Sequence, residues 1–239
     1  MELTELLDRL FLFYGPQGWW PLPSRAGQGI RDDGGYLKGP SVIFGSNLEP
    51  EATQARFEIA IGAVLAQNTA WAGASRSLVA LSRRELLDPS SLIGTSREKL
   101  HACIKTSGTY TRKAAYLQNL ALQWVELDRG IPARSRLLGI TGIGFETADC
   151  ILLYAYGVPV FIADAYARRI MTRHGLLNEV EARNYESTRT KAEKQLPLNA
   201  GYLAEAHALL VEHAKCHCRA TPSCKGCPVE HGCRKIKRC

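Results

Sequence analysis

The 239-residue chain is long enough to bury a full core, as one large or two intimately joined domains. Its 46% hydrophobic and 22% charged residues are those of a globular protein, and it has neither a long uninterrupted apolar run nor a basic-then-apolar amino terminus, so no membrane span or signal peptide is expected. A formal net charge of +7 favours a polyanionic partner, the alternative being a basic surface that binds nothing.

Residues Glu2 to Tyr14 carry Leu3, Leu6, Leu7, Leu10 and Phe11 at helical spacing, with Asp8 and Arg9 on the other side. Next come Trp19-Trp20-Pro21, two adjacent indoles between glycines and prolines that cannot both lie on the buried face of one regular element. At least one should face a groove or pocket, the alternative being a pair of packing anchors. An indole facing a base would stack on it, worth about 1–3 kcal/mol whatever the base. From Leu22 to Glu49 the glycines, prolines and serines predict a long loop, with Asp33-Gly34-Gly35 as a turn and room for a short strand or lid. Residues Glu51 to Gln67 form a helix apolar on most sides, hence central and buried. It ends in Gln67-Asn68-Thr69, and Asn68 or Thr69 is expected to cap the next helix, Trp71 to Leu81. A glutamine and an asparagine between two helices either cap only, or reach into a duplex to fill the hole left by a displaced base. Short helices follow between Asp88 and Gly130, the longest from Tyr110 to Leu127. Arg112 and Lys113 at its start are either solvated or in contact with phosphate.

The run Leu138 to Asp149 then places Gly142 and Gly144 one residue apart, flanked by Ile140 and Ile143. This predicts a tight hairpin between helices at about Ser135 to Leu138 and Phe145 to Tyr156, because glycine tolerates positive φ. The first turn of the second helix has unpaired N–H groups, the positive end of the helix dipole behind them and no Cβ in the way, which makes a seat for a phosphate. Gly142, Ile143, Gly144 and Thr147 are therefore candidates to grip a nucleic-acid backbone without reading its sequence. Gly157-Val158-Pro159 ends the second helix, and an apolar run leads into Asp164, which can cap a helix from Ala165 to His174. Helices at Ala182 to Gln195 and Gly201 to Lys215 complete an all-α reading; no segment alternates as a strand would, and no internal repeat is present.

Six of the eight cysteines lie between Cys216 and Cys239, an arrangement that points to a metal site in a reducing compartment rather than to disulfides. Cys103 and Cys150 fall on apolar helical stretches and read as core residues. Cys218-x5-Cys224-x2-Cys227-x5-Cys233 supplies the four thiolates of a [4Fe–4S] cluster. Zinc also takes four, but usually from two separated Cys-x2-Cys knuckles, and only one exists here. Cys216 is the alternative first ligand. Such a cluster is expected to be structural, holding a loop with Arg219, Lys225, Arg234, Lys235, Lys237 and Arg238 against DNA.

Hairpin, helix, Gly/Pro turn and aspartate together resemble the helix-hairpin-helix-GPD superfamily of DNA glycosylases, the endonuclease III relatives. The resemblance covers about Glu2–Pro21 and Phe57–Cys233 and leaves the loop between them unexplained. It implies two helical subdomains flanking a DNA-binding cleft, with an N-terminal segment 1–49, a central subdomain 50–160, and 161–239 completing the second subdomain together with the N-terminal segment. It implies that Phe57 to Thr69 corresponds to the family helix ending in an intercalating glutamine, here Gln67 with Asn68 beside it. The cysteine loop stands where these relatives carry their cluster loop, usually with six residues in the first gap.

In the bifunctional members a lysine two residues after the second hairpin glycine attacks the sugar. The position here is Glu146, 18 residues before Asp164 as in the family. A carboxylate cannot form a Schiff base, so the resemblance implies monofunctional hydrolysis by Asp164 and Glu146, Asp164 stabilising the charge that develops at C1′ and positioning or deprotonating water. With Trp19-Trp20-Pro21, this most resembles the bacterial endonuclease-III-like 3-methyladenine DNA glycosylases, whose amino-terminal aromatic motif lines the base pocket. Trp19, Trp20 and Pro21 are assigned to that pocket; Tyr166 lines it too or merely packs. The expected substrate is double-stranded DNA carrying an alkylated purine, whose cationic base stacks between aromatic faces and departs neutral. The alternatives are a glycosylase for oxidised or mismatched bases and a DNA-damage-binding protein without chemistry. A monomer in the cytoplasm, associated with the nucleoid, is expected.

Overall fold

The computed structural model describes residues 1–20, 22 and 50–234, and among these every regular element is helical. The α-helices are α1 (Leu3–Tyr14), α2 (Pro50–Leu65), α3 (Trp71–Ser82), α4 (Pro89–Gly94), α5 (Arg97–Ile104), α6 (Tyr110–Leu127), α7 (Arg134–Leu138), α8 (Phe145–Tyr156), α9 (Ala165–Arg173), α10 (Glu179–Arg183), α11 (Tyr185–Glu193) and α12 (Ala200–Cys216). None is long and apolar enough to cross a membrane. Pro21 and residues 23–49, over which a long loop is expected, lie outside the described residues, as do Lys235 to Cys239. The chain divides into two compact units, one made of Met1–Trp19 with Pro159–Cys239, the other of Trp20–Val158.

In the Trp20–Val158 unit, α2 packs on α8, α3 and α6. Its Phe57, Ile59, Ile61, Val64 and Leu65 are fully buried, which is why its sequence is apolar on nearly every side. A buried cation on it is compensated. Arg56 is 4% exposed and makes a bidentate pair with Asp128, Nε to Oδ1 at 2.7 Å and Nη2 to Oδ2 at 2.9 Å. The Tyr156 hydroxyl donates to the same Oδ1 at 2.7 Å, and burial together with that carboxylate pushes its phenol well above the usual range. A buried ion pair is tolerated only with this degree of hydrogen bonding.

Three local expectations are corrected here. The N-cap of α3 is Ala70, which offers no side-chain bond; Asn68 is held at φ +50°, and the Thr69 hydroxyl donates to the Ser107 carbonyl instead of capping. The single helix expected from Ala182 to Gln195 is two. Asn184 ends α10 and accepts from Ser187 N–H to start α11, and α10 begins earlier on a capping box of Asn178 and Glu181. Lys113 is neither solvated nor free to meet phosphate: it is 1% exposed and donates to the carbonyls of Leu65 (2.7 Å) and Ser107 (2.6 Å) and to the Thr69 hydroxyl (2.9 Å). One ammonium thus satisfies the last carbonyl of α2 and ties down the turn that carries Gln67 and Asn68.

The Met1–Trp19 and Pro159–Cys239 unit is built around α12, on which α1 and α9 pack, with α10 against α9 and α11. Leu3, Leu6, Leu7 and Leu10 of α1 are buried, as are Leu203, Leu210 and Ala214 of α12.

Two predictions follow from these placements. Gly142 has φ +98° and a Cβ added there would lie 2.1 Å from the Tyr116 ring, so Gly142→Ala should destabilise the fold by about 2 kcal/mol or more. Gly144 has φ −92° and open space around it, so Gly144→Ala should stay within about 0.5 kcal/mol of wild type in urea melts. For Lys113, burial pushes the ammonium down to about 8 from 10.5. The folded chain therefore sheds this proton before the unfolded chain does, and the group adds stability as pH rises from about 8 towards 10.5. The stability deficit of Lys113→Met, in which the Leu65 and Ser107 carbonyls lose the ammonium while Thr69 still donates to Ser107, should be larger at about pH 9.5 than at about pH 7. An equal deficit at both would mean that Lys113 titrates alike in both states.

Candidate functional site

In the Trp20–Val158 unit the hairpin is fixed from both sides of its turn. Ile140 and Ile143 are buried, the Ile143 N–H bonds the Ile140 carbonyl at 3.0 Å, and Tyr116 of α6 occupies the space a side chain at Gly142 would need. Arg134 of α7 clamps Asp149 of α8 with Nε at 2.6 Å and Nη2 at 2.9 Å, and lies 5.2 Å from the Phe145 ring centroid. Asp149 is wholly buried, so this pair locks the two hairpin helices. Gly144 is the N-cap of α8 and supplies no side-chain bond. The backbone donors there, with the dipole of a 12-residue helix behind them, lie where the sequence leads one to expect a seat for an anion.

The structure brings Gln67 to this hairpin. Its Nε2 donates to the Gly142 carbonyl at 3.0 Å and to the Thr147 hydroxyl at 2.9 Å. Thr147 is 5% exposed, so its side chain serves this contact, whereas Asn68 and Glu146 are exposed. Trp20 is 5% exposed and enclosed by Trp71, Tyr154 and Gly62. The half-exposed member of the tryptophan pair is Trp19, and Pro21 lies outside the described residues.

In the other unit, Asp164 is the N-cap of α9, as its position predicts. Oδ1 accepts from the Ala167 N–H at 2.6 Å, and the Arg168 Nε donates to the Asp164 carbonyl at 3.3 Å. Its second oxygen, Oδ2, lies 3.6 Å from Nε2 of His207 on α12. The Trp19 ring meets the His207 ring edge-on, centroids 5.5 Å apart, and Lys215 Nζ stands 5.6 Å over the indole. Glu205 accepts from the N–H groups of Gln17 (2.6 Å) and Gly18 (3.1 Å), which fixes the strap that presents Trp19. Tyr166 is 37% exposed, with Arg169 5.2 Å from its ring centroid. Arg168, Arg169 and Arg183 line an open groove with Glu179. Neither His207 nor Glu205 is picked out by motif. The signal for His207 is its place in the stripe Leu203, His207, Leu210, Ala214, where a buried ring needs a polar partner.

Cys218, Cys224, Cys227 and Cys233 line one cavity with Arg173, His174 and His213, while Cys216 is exposed and its thiol lies 3.2 Å from Glu212. No group of three described His, Cys, Asp or Glu residues is arranged to hold a single metal ion. Arg173, 7% exposed, donates from Nη1 to Cys218 Sγ at 3.1 Å, and its buried Nε finds no acceptor among the described residues; nor does Nδ1 of His174.

Residues 61–197 match the family described as HhH-GPD superfamily base excision DNA repair protein. A Methanocaldococcus jannaschii protein provisionally named a DNA repair glycosylase is 32% identical, over 97% of this chain and 96% of that one. In fold the chain is similar to endonuclease III in a non-covalent complex with DNA (TM-score 0.73, 21% identity, 99% of this chain and 97% of that one). It is likewise similar to the Helicobacter pylori 3-methyladenine DNA glycosylase MagIII bound to 1,N6-ethenoadenine (TM-score 0.68, 23% identity, 90% and 98%). The chain therefore belongs to the HhH-GPD superfamily of base excision DNA repair proteins, as an endonuclease III-like DNA glycosylase.

Proposed function

We propose that this glycosylase releases alkylated purines of the 3-methyladenine type from double-stranded DNA by hydrolysis alone. The observation that carries the monofunctional reading is Glu146, an exposed carboxylate on the first turn of α8 where Schiff-base chemistry needs an amine. Asp164 then acts on the sugar. Its Oδ1 is committed to the α9 cap, and Oδ2 faces the charge that grows at C1′ as the glycosidic bond lengthens. An alkylated purine already carries positive charge and leaves as a neutral base, so a single carboxylate suffices. The half-exposed Trp19, held by Glu205 on its strap, supplies the stacking surface, with Tyr166 as a second aromatic. The α8 N-terminus, with Gly142, Ile143 and Gly144, seats a phosphate, and the Gln67–Asn68 turn enters the duplex where the base has left. Arg168, Arg169 and Arg183 add positive charge along the strand.

The cysteine cavity fits a [4Fe–4S] cluster. Four thiols surround it, a buried guanidinium already donates to one sulfur, and two further buried nitrogens there have no other described acceptor. Cys218, Cys224, Cys227 and Cys233 would hold the cluster, Cys216 being directed to Glu212; bound there, it would fix the basic loop in place. In this reading Cys218→Ser should lose iron and visible absorbance while Cys216→Ser keeps both. Zinc in the wild-type protein by elemental analysis would refute it.

The glycosylase reading is tested by chromatography of bases released from radiolabelled methylated duplex DNA. Wild type should free 3-methyladenine and leave an unbroken strand with an abasic site. Asp164→Asn should lose release by about a hundredfold or more yet still bind the duplex. Release of oxidised or mismatched bases but no methylated ones would overturn the substrate assignment.

A further inference from the structure

The two oxygens of Asp164 have different surroundings. Oδ1 is fixed by a short bond to the Ala167 N–H, whereas Oδ2 faces Nε2 of His207 at 3.6 Å. Both side chains are more than nine-tenths buried, at 5% and 6% exposure. Rotation of an aspartate carboxyl about its last torsion is soft, so one hydrogen bond leaves the plane free to swing; a buried ring packed against the other oxygen narrows that freedom. The separation is longer than the roughly 2.7–3.2 Å of a hydrogen bond, so Oδ2 is steered without its lone pairs being spent. His207 is itself held, its ring meeting the edge of Trp19 and its backbone lying within α12 beside Glu205, which fixes the strap before that tryptophan.

We propose that His207 is a positioning residue for base release: it orients the Asp164 carboxylate and keeps that group in register with the Trp19 wall. This rests on the reading that Asp164 carries the reaction. His207 acts through Asp164 and touches no reacting atom. A group that only aligns another changes the rate of the chemical step and leaves DNA affinity alone, because misplacement by a fraction of an ångström weakens transition-state contacts more than ground-state ones.

The test is single-turnover release of 3-methyladenine from a duplex oligonucleotide at saturating enzyme, with the duplex dissociation constant and melting temperature measured for each variant. His207→Ala should slow release about tenfold or more with affinity unchanged within about twofold. His207→Gln, whose amide nitrogen reaches about where Nε2 lies, should recover most of the rate. His207→Asn is too short and should not, and this contrast decides the matter even if the alanine variant folds poorly. In the Asp164→Asn background, His207→Ala should cause no further loss, since the group it aligns is gone. A merely structural histidine would lower the melting temperature in all three variants and leave the rate below melting unchanged, which would overturn the proposal, as would independent, additive losses in the double variant. If Asp164→Asn itself releases base at the wild-type rate, it is the reading of Asp164 that fails.

Discussion

Every α-helix begins with backbone donors that have no partner inside it, and the functional layout of this chain turns on how those donors are treated. At α4, α5, α9, α10, α11 and α12 a side chain closes the end: Asp88, Ser96, Asp164, Asn178, Asn184 and Asn199. No side chain closes the start of α1, α3, α6, α7 or α8, and of these α8, capped by Gly144, is the one that follows the glycine hairpin. An end left open on a rigid hairpin attracts an anion by its dipole and its N–H groups together. The hairpin can afford this because its shape is held elsewhere, by the buried Ile140 and Ile143, by Tyr116 against Gly142 and by the clamp of Arg134 on Asp149.

Buried charge is used in the same unit to set geometry rather than to add stability. An ion pair inside a protein roughly balances its desolvation cost, so Arg56 with Asp128 is better understood as fixing the first half of α2 against the end of α6 than as a source of net free energy. Lys113 does the same at the other end of α2. Its ammonium holds the Leu65 carbonyl, and two residues later the turn delivers Gln67 to the Gly142 carbonyl and Thr147 hydroxyl. Hairpin and turn are thereby tied together, although they are about 75 residues apart in sequence.

Much of this is legible in the sequence, and the exceptions have physical reasons. Tyr110–Leu127 and Phe145–Tyr156 are found as expected, since their apolar periodicity is long and glycine or a turn bounds them. The break at Asn184 is missed because one asparagine in an otherwise helical pattern can either stay in the helix or end it, and only local side-chain bonding decides. Lys113 is misread because a lysine in a first turn is usually solvated; its acceptors lie on segments distant in sequence. The hairpin and the Asp164 cap are local features and can be read directly. The contact of Asp164 with His207, and of Glu205 with the strap before Trp19, join residues more than 40 apart, and no periodicity announces them.

In the mechanism proposed above, Asp164 combines two duties that usually conflict. A carboxylate used as a helix cap is stabilised by its donors, and one used to meet a growing cation should keep its electron density available. Here the duties are split between the two oxygens: Oδ1 takes the short bond from Ala167, and Oδ2 has, among the described residues, the longer approach of His207. The cap also anchors the group to a helix that packs on α12, so the oxygen left over is borne on rigid structure and not on a loop. In the proposed mechanism, precision at Oδ2 thus comes from the same N–H that starts the helix, and the cap becomes part of the arrangement that would meet the sugar.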